Sequence, residues 1–118
     1  LVLSQITLYH NPNCSKSRGA KEILESRGVD FQVVEYLKAP LGEVEIQSLV
    51  SKLDGDPSEL VRKDSHFKEL GLNAGDYTSA ESVSALLAEH PKLMQRPVAV
   101  CGEQAVIARP SELVESLL

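Results

Sequence analysis

The sequence predicts an α/β domain built on a four-stranded mixed sheet, with a block of helices inserted between the second and third strands. Three observations predict it. The first third reads strand, helix, strand; the middle repeats helical signals without a strand; the last third holds two short apolar runs and a closing helix. At 118 residues, with 42% hydrophobic and 25% charged residues, the chain is of ordinary globular composition and large enough to build a core without disulfide staples.

Residues 5–9, QITLY, alternate as a short strand does, with Ile6 and Leu8 on one face and Thr7 and Tyr9 on the other. Asn11, Pro12 and Asn13 then turn the chain into a helix over about 15–27, with apolar Ala20, Ile23 and Leu24 at helical spacing. Gly28 is placed to stop that helix, and FQVVEYL from Phe31 is rich in β-branched and aromatic residues, as a second strand requires. A β-α-β unit with a right-handed crossover makes these two strands parallel neighbours.

From Pro40 to His90 the signals are helical. Ile46, Leu49, Val50 and Leu53 recur at one face of an amphipathic helix over 43–53 whose role is core packing. Asp56-Pro57-Ser58-Glu59 opens another helix, with a capping residue and a proline at the first helical position. Thr78-Ser79-Ala80-Glu81 reads as a capping box ahead of Val83, Leu86 and Leu87.

After Arg96-Pro97 the run VAVC, a turn at Gly102-Glu103 and the run QAVIA form a hairpin. Pro110 opens a last helix, SELVESLL, in which Leu113, Val114 and Leu117 are expected to pack on the sheet. The order β-α-β, helices, β-β-α is thioredoxin-like with an enlarged middle. Residues 1–118 are read as a single domain, with its thioredoxin-like parts at about 5–37 and 91–118 and the insert at about 40–90.

A net charge of -5 and a pI near 5.1 argue against a general nucleic-acid or anionic-membrane binder, because both are polyanions that such a chain repels on average. Two cysteines in contrasting contexts form no disulfide framework, and no Cys/His cluster has metal-ligand spacing. The opening LVLSQITLYH has neither the basic run nor the small-residue cleavage site of an export signal, and no apolar run approaches the roughly 20 residues that span a bilayer. The expected location is the reducing cytoplasm.

The chemistry centres on YHNPNCSKSR, residues 9–18. Inert cysteines favour apolar surroundings, whereas Cys14 stands among turn residues just before a helix. Unpaired N–H groups at a helix start, with Lys16 and Arg18 nearby, favour the nucleophilic thiolate. Spacing excludes two related chemistries: Arg18 stands too close to Cys14 for a C-x5-R phosphatase loop, and Ser17 occupies the place of a second C-x-x-C thiol. Any redox cycle must therefore import its second thiol. Cys101, in VAVCG, reads as a buried small apolar residue; His66 and His90 read as surface or capping residues.

The chain has only five arginines. Arg62, Arg96 and Arg109 fall at junctions between elements, where side chains reach pocket edges, and guanidinium forks suit tetrahedral oxyanions. Spacing alone leaves open whether they converge or pair separately with the 17 acidic residues.

Taken together, YHNPNCSKSR, LVRKD, HPKLMQRPVAV and RPSELVESLL resemble, in order and spacing, the motifs of the glutaredoxin-coupled arsenate reductase family. The resemblance implies that Cys14 attacks arsenate, that Arg62, Arg96 and Arg109 hold the oxyanion, and that His10 assists the thiolate. It implies glutathione as co-substrate and glutaredoxin as electron donor, with no bound cofactor, metal or flavin. Pro97 stands where thioredoxin-like folds place a cis-proline facing the cysteine. Two other functions share these features in part. A general glutathione-dependent thiol-disulfide reductase would need no convergent arginines, and a redox regulator binding RNA polymerase would use a C-x-x-C switch that Ser17 breaks.

Overall fold

A computed structural model describes residues 5–118; residues 1–4, the start of the segment read above as lacking an export signal, lie outside the described residues. Strands β1 (Ile6–Tyr9), β2 (Phe31–Val34), β3 (Val98–Cys101) and β4 (Gln104–Ile107) form one sheet in the order β2-β1-β3-β4. β1 pairs β2 in parallel, while β1–β3 and β3–β4 are antiparallel. This is the predicted mixed, thioredoxin-like sheet.

Strand alternation divides the core in two. Ile6 and Leu8 of β1 and Ala99 of β3 point to one face, where they meet Ala20 and Leu24 of helix α1 (Ser15–Ser26) and Val114 near the C-terminus. Val98 of β3 and Ala105 of β4 point to the other face, and Tyr9 packs there too. They meet Ile46, Leu49 and Val50 of α2 (Glu43–Lys52) and Val83, Leu86 and Leu87 of α4 (Ala80–Glu89). Each fully buried leucine, isoleucine or valine among them contributes about 1.5–3 kcal/mol. A one-residue slip would move every one of them to the wrong face, so the register is strongly specified.

Helix α1 ends as predicted. Gly28 takes φ +66°, and its amide bonds to the Glu25 carbonyl at 3.1 Å. Several boundaries differ. β2 stops at Val34, and Tyr36, expected to continue it, turns inward and is fully buried. Helix α2 stops at Lys52, after which Leu53 becomes extended and bridges Ala105. The capping box of α4 lies one residue later than Thr78-Glu81. The Ser79 hydroxyl receives the Ser82 amide at 3.1 Å, and Ser82 Oγ accepts the Ser79 amide at 3.2 Å. The shift leaves Val83, Leu86 and Leu87 on the buried face.

Two segments read as helices are 3-10 turns, Pro57–Leu60 and Ser111–Leu117. With three residues per turn, positions i and i+3 eclipse. Val114 and Leu117 therefore line up on the α1 face, whereas Leu113, expected to join them, is exposed. The short helix α3 (Ser65–Glu69) is capped by Asp64, whose Oδ1 accepts the Phe67 amide. Among the described residues, no helix is long and apolar enough to cross a membrane.

Candidate active site

The site assembles at one end of the sheet, because four chain segments leave or enter it there. β1 runs into the 10–14 loop and β2 runs parallel beside it, with the His10 amide bonded to the Val34 carbonyl at 2.9 Å. β3 starts at this end opposite Tyr9, and β4 ends here opposite Val98. Arg96 and Arg109 thus flank the mouth of the same loop that carries Cys14. Both bonds Arg96–Pro97 and Arg109–Pro110 are cis.

The loop is held by its own polar groups. The Asn11 carbonyl accepts the Cys14 amide at 3.0 Å, and Asn11 Oδ1 accepts the Asn13 amide at 3.0 Å, an Asx turn. Cys14 is the extended N-cap residue of α1, and its carbonyl takes the Arg18 amide. Its sulfur is half-buried at the positive end of that helix. Burial opposes ionisation, but the Ser17 and Lys16 backbone amides and the Arg96 guanidinium outweigh it. Together they hold the Cys14 pKa below the ordinary thiol value. Arg109 Nη1 approaches Sγ at 3.8 Å and also donates to the Arg96 carbonyl at 2.9 Å.

The thiolate is thus favoured as expected, but by different cations. Lys16 contributes its backbone amide, and its side chain is exposed. The Arg18 guanidinium donates to the Pro12 carbonyl at 2.9 Å. The side-chain charges at Cys14 are Arg96 and Arg109, which no local spacing around the cysteine reveals.

Arg62 arrives through a separate pairing. Val61 and Met94 form an isolated antiparallel bridge, with the Arg62 amide bonded to the Leu93 carbonyl at 2.6 Å and the Gln95 amide to the Leu60 carbonyl at 2.8 Å. This ties the stretch of the insert that carries Arg62 to the segment that leads through Arg96 into β3. Arg62 Nε contacts Asp64 Oδ2 at 3.4 Å, and the Nη groups carry the remaining donors. Asp64 is partly buried, which opposes its ionisation, but the Phe67 amide and Arg62 outweigh this and hold its carboxyl below the usual range.

Ser17 and His10 are joined to each other. The Ser17 hydroxyl, wholly buried, lies 2.7 Å from His10 Nδ1 and accepts the Asn11 amide at 2.9 Å. Burial lowers the His10 pKa, as do Lys21 and Arg18, with Glu35 opposing. The ring is thereby kept neutral at neutral pH, and its Nδ1 shares one hydrogen bond with the Ser17 hydroxyl. Among the described residues no hydrogen bond joins His10 to Cys14; the histidine meets the loop through Ser17. Replacing Ser17 with alanine should lower the unfolding free energy by about 1–3 kcal/mol, since it strands a buried amide and a ring nitrogen. Urea denaturation measures this, and a change under about 0.5 kcal/mol would show that neither group depends on the hydroxyl.

Cys101 is half-buried rather than buried, because it is the last residue of β3, where the turn to β4 begins. It pairs with Ile6, at the far end of β1 from the Cys14 loop. Three strand residues at about 3.3 Å each already exceed the roughly 7 Å Cα limit of a disulfide. His90 is half-buried at the end of α4.

Sequence reasoning missed several neighbours. A cleft of about 260 Å³ beside Arg96 is lined by Asn11, Leu37, Asp64, His66, Lys92 and Arg96. His66, read from the sequence as a surface or capping residue, is half-buried and lines this cleft. Tyr36 lies within electrostatic reach of Arg96, Cys14 and Arg62. Its signal was position: it follows the end of a parallel strand, where α/β sheets place their sites.

A thiolate held at a helix start by amides and a guanidinium, with a second guanidinium at its sulfur, is suited to attack on an oxyanion. The comparisons agree with that chemistry. The chain is 36% identical to an arsenate reductase of Neisseria meningitidis over 118 residues, which covers 98% of this chain and all of that one. It is 37% identical to an arsenate reductase of Haemophilus influenzae over 115 residues, covering 96% of this chain and 98% of the other. An arsenate reductase structure from Vibrio cholerae superposes with a TM-score of 0.87 at 38% identity, covering 99% of this chain and all of the other. The family model described as the ArsC family matches residues 9–117, and the chain belongs to that family.

Proposed function

We propose that this protein reduces arsenate to arsenite, with Cys14 as nucleophile and Arg62, Arg96 and Arg109 as the oxyanion site. One observation carries the reading: Arg96 and Arg109 both meet the Cys14 sulfur at the start of α1. Two guanidiniums there serve a tetrahedral anion, and a plain disulfide exchanger has no use for them. Cys14 thiolate attacks arsenic and displaces hydroxide, forming an S–As bond. Reduction of As(V) to As(III) takes two electrons, so two external thiols become one disulfide. Glutathione supplies the first thiol and glutaredoxin the second, in the cytoplasm. Ser17 and the distant Cys101 support this need for outside thiols.

The expected result without thiols is less than one equivalent of arsenite and a Cys14 adduct seen by mass spectrometry. Glutathione with glutaredoxin should give many turnovers, and Cys101→Ser should match the unmodified protein. Repeated turnover with thioredoxin alone, lost in Cys101→Ser, would overturn the electron route. Faster turnover of a small disulfide than of arsenate would favour a general thiol-disulfide reductase.

A further inference from the structure

The Tyr36 hydroxyl is a polar group at this site that the chemistry above does not use. The side chain is 1% exposed and follows β2 at the sheet end where the Cys14 loop follows β1. Its ring belongs to the core on the insert face. Its hydroxyl oxygen meets the Arg96 guanidinium, which can only donate to it, and its own proton finds no acceptor among the described residues; Arg96 Nε, also buried, has no partner either.

Packing alone does not account for that oxygen. A phenylalanine would fill the same space, and a buried O–H without an acceptor destabilises the protein that holds it. Its surroundings point to a ligand. The charged groups that act on it are Arg96, Cys14 and Arg62, the residues assigned to the reaction. Burial raises its pKa above the ordinary phenol value, with Cys14 adding to the rise and the two arginines opposing it. The group therefore remains O–H at neutral pH, a neutral donor between two cations. Arginines have no acceptor to offer it, so its natural partner is an oxygen with a lone pair.

We infer that the Tyr36 hydroxyl is a fourth donor of the oxyanion site, giving its hydrogen bond to an oxygen of the tetrahedral anion that Arg62 and Arg96 hold beside Cys14. The inference rests on the arsenate reading. It adds a contact that no arginine provides, a donor without charge. Anion binding then satisfies the one buried group that folding leaves unmet at Tyr36.

The test is Tyr36→Phe, with arsenate and sulfate as probes in calorimetric titration and thermal melting. Without anion the variant should melt close to the unmodified protein, since the hydroxyl donates no protein hydrogen bond and its removal also takes away an unmatched buried donor. Its affinity for arsenate should fall about tenfold or more, as loss of a hydrogen bond to a charged acceptor requires. The rate of Cys14 alkylation by iodoacetamide should stay within about twofold, showing that the cysteine loop is intact. A variant that melts lower without anion and binds arsenate unchanged would assign the hydroxyl to packing and overturn the inference alone. If the unmodified protein binds neither arsenate nor sulfate, the oxyanion reading falls together with this one.

Discussion

Cys14→Ser is expected to remove arsenate reduction down to the background of the thiol mixture, a loss of about a thousandfold or more. The substitution keeps the size of the side chain and its place at the N-cap of α1. It exchanges a thiol whose pKa is held below the ordinary value for a hydroxyl that stays protonated, and only the ionised atom is a competent nucleophile. An assay following NADPH through glutathione reductase measures the loss, and thermal melting checks that the fold is retained. Residual turnover above a few per cent would place the nucleophile elsewhere. The same depressed pKa sets a pH signature in the unmodified protein. Alkylation of Cys14 should already be fast below the range where ordinary thiols ionise, and should decline as pH falls through the lowered pKa. Cys101 offers the internal comparison, and label appearing there first would contradict the assignment.

The second large effect concerns Arg96, which acts on the thiolate and is assigned to the anion. It hydrogen-bonds Cys14, adds a favourable charge to it, and through its carbonyl anchors Arg109. Arg96→Lys keeps the charge but loses the planar fork, so turnover should drop about tenfold or more, equivalent to one charge-assisted hydrogen bond of about 1.5–3 kcal/mol. Arg96→Ala should cost about a further tenfold. It should also move the pH midpoint of Cys14 alkylation upward, because both its hydrogen bond and its charge are gone. The carbonyl that holds Arg109 survives in both variants, so the comparison isolates the side chain. Full activity with an unmoved alkylation profile would reduce Arg96 to a bystander. Arg62→Lys should show the turnover loss without the shift in alkylation, since Arg62 acts on Tyr36 and Asp64 but is not among the groups acting on Cys14.

The fixed position of Arg109 has a local origin. Ser111, two residues on, donates its hydroxyl to the Lys16 carbonyl at 2.7 Å in the first turn of α1. That contact needs Gly19, where a Cβ would come within 2.6 Å of Ser111 Oγ. The C-terminal segment and the nucleophile's helix are therefore clamped together a few residues from the site. The exposed Arg27–Glu115 pair at 2.7 Å joins the same two elements but contributes little.

Much of this was legible in the residues alone, because it depends on neighbours in the chain. Alternation in QITLY and VAVC set the faces of β1 and β3, Gly28 ended α1, and the turn residues before Cys14 placed it at a helix start. What the sequence did not contain was decided by contacts between distant segments. Tyr36 looked like one more strand residue until β2 ended at Val34 and turned its ring into the core. Proximity in the chain points to Lys16 or Arg18 as the thiolate's cation, yet the guanidiniums at the sulfur are Arg96 and Arg109, carried there by the pairing of β1, β3 and β4. Which arginines reach the cysteine is likewise a matter of register: the pairing of β3 with β1 carries Arg96 to the Cys14 loop, and the β3–β4 hairpin brings Arg109. Local periodicity specifies which face a side chain takes. Only the pairing of segments far apart in the chain specifies which charges share a site, because electrostatic influence is screened over about 8–10 Å and follows distance in space, not in sequence.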